Sequence, residues 1–137
     1  MFGKKSQPPI KSLIAQGTRI EGNMKFTEGL RVDGEVYGDI EAIVEDAGSL
    51  LVISEASVVQ GGIQADHVII NGTVRGPVHA RELLELQPKA RIEGDVSYVA
   101  LEMHQGATIS GQLKPLVGGA AAGEEEKPLL KLAAKSA

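Results

Sequence analysis

The sequence predicts an all-β solenoid, a three-sided parallel β-helix of five to six coils with disordered termini. Three observations predict it. An apolar-x-Gly-x-apolar step returns along residues 20–113; apolar and polar side chains alternate with a period of two around those steps; and the apolar complement is almost free of aromatics. Hydrophobic residues make up 42% of the 137-residue chain, but Phe, Tyr and Trp together contribute 3%. A core lined by Val, Ile and Leu suits narrow stacked rungs better than a globule built around large aromatic anchors. Glycine, at 17 residues, is well above the usual ~7%.

The glycine step appears as Ile20-x-Gly22-x-Met24, Val32-x-Gly34-x-Val36, Val59-x-Gly61-x-Ile63, Ile70-x-Gly72-x-Val74, Ile92-x-Gly94-x-Val96 and Ile109-x-Gly111-x-Leu113. V-D-G-E-V-Y-G-D-I from residue 32 matches I-N-G-T-V-R-G-P-V from residue 70, an offset of 38. R-I-E-G at 19–22 recurs at 91–94, an offset of 72. Both offsets are multiples of a unit of about 18 residues, the mark of a solenoid whose repeats bury their apolar faces only by stacking. Within one unit Val32, Gly34, Val36, Gly38 and Ile40 share a face, and Arg31, Asp33, Glu35, Tyr37 and Asp39 share the other. Three strands of about six residues then fill one turn, with corners at Gly, Asn, Asp or Pro. At the ~4.8 Å strand spacing the body is a rod of about 25–30 Å.

Taken in chain order, residues 1–13 form a flexible tail, residues 14–115 the β-helix and residues 116–137 a second flexible tail. The first tail carries Pro8 and Pro9, and the last runs through G-G-A-A-A-G and E-E-E-K. Met1, Phe2, Lys4 and Lys5 make the start a candidate membrane-targeting element, with two apolar side chains to insert and two cations to meet anionic headgroups. Each such anchor is weak, and a polymer would gather many of them.

A net charge of −4 without a Lys/Arg-rich central block gives no footprint for nucleic acid. The absence of cysteine excludes disulfides and thiolate chemistry and fits a reducing compartment. No apolar stretch suited to a secretory signal follows the N-terminus, so a cytoplasmic protein is expected. His67, His79 and His104 have no nucleophile or metal-ligand partner at a suggestive spacing. Glu82 with Glu85, and Glu45 with Asp46, read as solvated outer charges rather than acid–base pairs. No G-x-x-x-x-G-K-[ST] phosphate loop occurs. No catalytic residue, cofactor or metal is therefore expected.

The segments L-I-A-Q-G-T-R-I-E-G-N-M, L-R-V-D-G-E-V-Y-G-D-I, A-R-I-E-G-D-V and G-A-T-I-S-G-Q-L follow one another, across roughly residues 13–113, in the order seen in bactofilins, and the chain resembles that family. The resemblance implies a right-handed coil and nucleotide-independent, non-polar filaments. It also implies a cytoskeletal role at the inner face of the cytoplasmic membrane, with partners in cell-wall growth or cell shape. The family often carries a Phe after G-A-x, where this chain has Ile109. The residue period alone leaves handedness open. Ile14, Ile20, Phe26 and Val32, like Val68, Val74, Ala80, Leu86 and Ile92, fall at a step of six, which also fits a left-handed hexapeptide-repeat acyltransferase. That enzyme's histidine-bearing acyl-carrier pocket and helical domain have no counterpart here.

An uncapped β-helix exposes unpaired backbone and apolar core at both ends. No amphipathic capping helix is predicted, so self-assembly end to end is expected. The first coil would contribute Ile14, Ile20 and Met24 to that interface, and the last Met103, Ile109 and Leu113.

Overall fold

The computed structural model describes residues 9–43 and 48–116. Its sixteen strands, all paired in parallel, wind into a solenoid of six coils with three faces, and no helix occurs among the described residues. The first face stacks Ile10–Ile14 (β1), Gly29–Val32 (β4), Leu50–Ile53 (β7), the later part of Ile63–Ile70 (β9), the later part of Val78–Leu86 (β11) and Ala100–Met103 (β14). The second stacks Arg19–Glu21 (β2), Glu35–Tyr37 (β5), Val58–Gln60 (β8), Thr73–Arg75 (β10), Arg91–Glu93 (β12) and Thr108–Ser110 (β15). On the third, Met24–Phe26 (β3) and Ile40–Ala42 (β6) lead to the early parts of β9 and β11. Val96–Tyr98 (β13) and Leu113–Pro115 (β16) complete it. Because β9 and β11 run around a corner, the first and third faces merge into one ten-stranded sheet beside a six-stranded one.

The core consists of columns. Ile20, Val36, Val59, Val74, Ile92 and Ile109 lie in register up the second face, and Met24, Ile40, Ile63, Val78, Val96 and Leu113 up the third. The step between rungs is uneven, from 15 residues between Val59 and Val74 to 23 between Val36 and Val59. The long step contains the connection between β6 and β7, and the columns keep their register on either side of it. Uneven steps still give the overall offsets: Val36 to Val74 spans two rungs and 38 residues, and Ile20 to Ile92 spans four rungs and 72. The step of six visits the three faces in turn, with Ile14, Ile20, Phe26 and Val32 on the first, second, third and first again.

Each interior column residue is almost fully buried, which contributes about 1.5–3 kcal/mol for an aliphatic side chain. Small residues narrow the middle of the third face, where Ala42, Ala65 and Ala80 line the core. Phe26 stands in register with Ala42 toward one end, and Tyr98 lies beneath Pro115 toward the other. The two aromatic rings of the described core, Phe26 and Tyr98, thus lie toward its opposite ends.

One corner demands glycine. Gly22, Gly38, Gly61, Gly76, Gly94 and Gly111 stack between the second and third faces, with φ from +135° to +158°. A Cβ on Gly94 would lie 2.4 Å from the carbonyl oxygen of Gly76, and Gly38, Gly61, Gly76 and Gly111 face the same obstruction from the rung before. The carbonyl of one coil occupies the side-chain space of the next, so no L residue fits. Beside this corner the side-chain oxygens of Asn23, Asp39 and Asp95 accept from the amides of Asp39, Gly62 and Gln112 on the following rung. Gly62 has no such oxygen, and Pro77, which follows it in the column, has no N–H to satisfy.

At the corner between the first and second faces, four-residue turns close with the amides of Thr18, Ser57, Ala90 and Ala107 donating to Ala15, Ser54, Gln87 and His104. Gly17 and Gly106 supply the positive φ in two of them, and Pro88 presets another.

Candidate functional site: the two open ends

The first coil is β1, β2 and β3, which pair with β4, β5 and β6 on one side only. The last coil is β14, β15 and β16, which pair only with β11, β12 and β13. Among the described residues no strand or helix covers the other edge of either coil. Among the described residues both ends therefore present a triangle of unpaired backbone around an apolar centre.

Five of the six residues expected at these ends are half-buried. Ile20 and Met24 lie against the core at the first coil, and Met103, Ile109 and Leu113 at the last. Their column neighbours Val36, Val59 and Val74 are fully enclosed, so what separates them is the missing rung and not the side chain. Ile14 differs, being 7% exposed and already covered within the protomer. Phe26, which the glycine pattern does not mark, lines the first coil at the same exposure, and Leu101 joins the last. Met1, Phe2, Lys4 and Lys5 lie outside the described residues, as do Glu45 and Asp46.

Charges around the ends are exposed. Lys11 pairs with Glu28 at 3.3 Å and Arg19 with Glu21 at 3.3 Å, and Arg19 also lies over the Tyr37 ring at 4.4 Å to its centroid. Exposed pairs of this kind contribute little stability. The buried pair is elsewhere. Asp66 accepts from the backbone amides of Gly48 and Ser49 and from Arg81 Nε at 2.7 Å, and the Ser49 hydroxyl accepts from the Asp66 amide. Burial pushes the Asp66 carboxyl up, but the donors at Ser49, Arg81 and Gly48 outweigh it and hold the group below the usual carboxylate range. These bonds tie Gly48 and Ser49, which lead into β7, to Asp66 on the following coil.

The three histidines fall apart in space. His67 and His79 lie on the walls, while His104 joins two carboxylates that its sequence neighbourhood does not advertise. One ligand atom from each of Glu85, Glu102 and His104 lies within 4.8 Å of the others. The signal that finds them is the coil register, because Glu85 and Glu102 are partners on β11 and β14 and His104 follows two residues on.

The family model for bactofilins, described as polymer-forming cytoskeletal, matches residues 12–114. The chain belongs to the bactofilin family. Bactofilin BacO of Myxococcus xanthus is 25% identical over 103 residues, covering 70% of this chain and 82% of that protein. Bactofilin BacP of the same organism is 24% identical over 102 residues, or 74% of this chain, which spans 40% of BacP's own length. No solved structure matches. The bactofilin match spans nearly all of the six coils. Nothing favours the hexapeptide-repeat acyltransferase, and no helix among the described residues is long and apolar enough to cross a membrane.

Proposed function

We propose that this bactofilin is a structural scaffold without catalytic activity whose protomers stack end to end into filaments without nucleotide. The filaments lie on the inner face of the cytoplasmic membrane, held by Met1, Phe2, Lys4 and Lys5, and gather proteins of cell-wall growth or cell shape. The observation that carries this reading is the pair of terminal coils whose outer edges no other described strand covers, and on which Ile20, Met24, Met103, Ile109 and Leu113 are half-buried. A second protomer placed there continues both the hydrogen-bond ladder and the apolar columns, so assembly calls for no further domain and no bound phosphate.

The reading is tested by sedimentation and negative-stain microscopy of the purified chain, with and without ATP or GTP. Filaments of equal yield are expected in both cases. Assembly only with nucleotide would overturn the proposal, and discrete trimers would point to the acyltransferase architecture instead.

A further inference from the structure

Where two charged residues stand in register on adjacent coils of this solenoid, they are of opposite sign at Arg19 and Glu35, Lys25 and Glu41, and Arg75 and Glu93. Among the described strand pairs a single one breaks that rule, at Glu85 and Glu102. Like charges directly opposite one another on paired strands are destabilising. A place where a sequence departs from its own local rule is where a function is to be sought.

The surroundings are those of a ligand set. His104 Nε2 lies 3.6 Å from Glu85 Oε2, and ligand atoms of Glu85, Glu102 and His104 all fall within 4.8 Å of one another. The backbone of His104 is fixed twice, its amide donating to Leu86 and its carbonyl accepting from Ala107. Gln87 Nε2 donates to the Glu85 carboxylate at 3.2 Å and orients it. A first-row divalent ion held at roughly 2.0–2.2 Å from each ligand brings those atoms to roughly 3–3.5 Å apart, a change within reach of small side-chain rotations on half-exposed residues.

We propose that Glu85, Glu102 and His104 bind a divalent transition-metal ion of the zinc class. One imidazole with two carboxylates favours such an ion over Mg²⁺ or Ca²⁺, which prefer oxygen ligands alone. The ion neutralises the stacked glutamates and ties the last coil, which supplies Glu102 and His104, to the coil beneath it, which supplies Glu85. It therefore strengthens the rung that has no neighbour beyond it. This site is separate from the end-to-end reading: it lies on the outer wall, and its metal is not required for stacking.

The test is a titration of the full chain with Zn²⁺ by calorimetry and with Co²⁺ by visible absorption, alongside thermal melts with and without Zn²⁺. The variants are His104→Gln, Glu102→Gln and, as a control on another face, His79→Gln. Wild type and His79→Gln are expected to bind one equivalent and to melt higher with Zn²⁺. His104→Gln and Glu102→Gln are expected to bind at least tenfold more weakly and to lose the melting shift. Wild type that takes up no Zn²⁺ at a hundred-micromolar excess overturns the proposal, and so does His104→Gln binding as tightly as wild type. Mg²⁺ matching Zn²⁺ in affinity overturns the assigned class of ion.

Discussion

Ile109 lies in the second-face column above Ile92, half-buried because the column stops there, whereas Ile92 one rung below is 1% exposed. Stacking a protomer on the last coil would enclose Ile109 as Ile92 is enclosed. Ile109→Lys removes part of an apolar contribution of about 1.5–3 kcal/mol and brings a charge into a dry interface, at a cost of several kcal/mol unless a partner is found. A loss of about 4 kcal/mol per junction raises the concentration needed for assembly about a thousandfold. In the isolated protomer the ammonium reaches water at the open end, so strand content by circular dichroism is expected to stay near wild type. Val74→Lys, with no exposed edge in the same column, is expected to unfold the protein. Leu113→Lys should behave as Ile109→Lys does. The size of the residual species is informative: non-polar filaments pair like ends, so these variants should leave a dimer joined through Ile20 and Met24, whereas monomers alone mean that unlike ends meet. If Ile109→Lys and Leu113→Lys both sediment as long filaments at wild-type concentration, the last coil is not an assembly surface and the reasoning fails.

Three further outcomes are expected. In the non-assembling Ile109→Lys background, Gly94→Ala should lower stability by roughly 3 kcal/mol or more, because its methyl meets the Gly76 carbonyl. Gly22→Ala, with nothing within 4 Å, should lose only the ~1–2 kcal/mol of its positive φ, and equal urea midpoints for the two would refute the carbonyl-in-place-of-side-chain account. Asp66→Asn should lose about 1.5–3 kcal/mol at pH 7 through its weakened bonds to Arg81 and the Gly48 and Ser49 amides. The folded-state pKa of Asp66 is depressed, so its stabilisation is present above the unfolded value of about 3.9 and fades as pH falls through the lower folded value. The gap between wild type and Asp66→Asn in chemical denaturation should therefore narrow below about pH 4, and a constant gap down to pH 2 would contradict the assignment. Deleting residues 1–7 should abolish flotation with anionic liposomes while filaments persist by microscopy, and undiminished flotation would place the anchor elsewhere.

The columns were legible in the sequence because period-two alternation and a recurring glycine are local signals, and Val32 to Ile40 display both. Individual coil lengths were not legible, since the number of residues between two rungs can vary while the strands on either side keep their register, as between Val36 and Val59. The first strand was hidden for a different reason. It begins at Ile10, ahead of residue 14, and four of its five residues are exposed, so the half-buried alternation that marks a strand is missing. Asp66 with Arg81 and Glu85 with Glu102 meet across coils, and only the register reveals such neighbours. The half-burial of Ile20 and Ile109 is likewise invisible in a motif they share with enclosed Val59, because it depends on being first and last. Phe26 was missed as an end residue because it belongs to no glycine step, although it is one of only two phenylalanines in the chain.

The strands run around the solenoid, so their backbone hydrogen bonds point along its axis. Compression presses the rungs together and meets closely packed columns. Tension pulls directly on the hydrogen bonds between neighbouring rungs, but inside a protomer the covalent chain spirals through every coil and tethers any rung that parts. Across a stacked junction nothing covalent passes. A filament built this way is a stiff strut whose failure under pull is confined to protomer boundaries, and each break regenerates two intact ends that can join again.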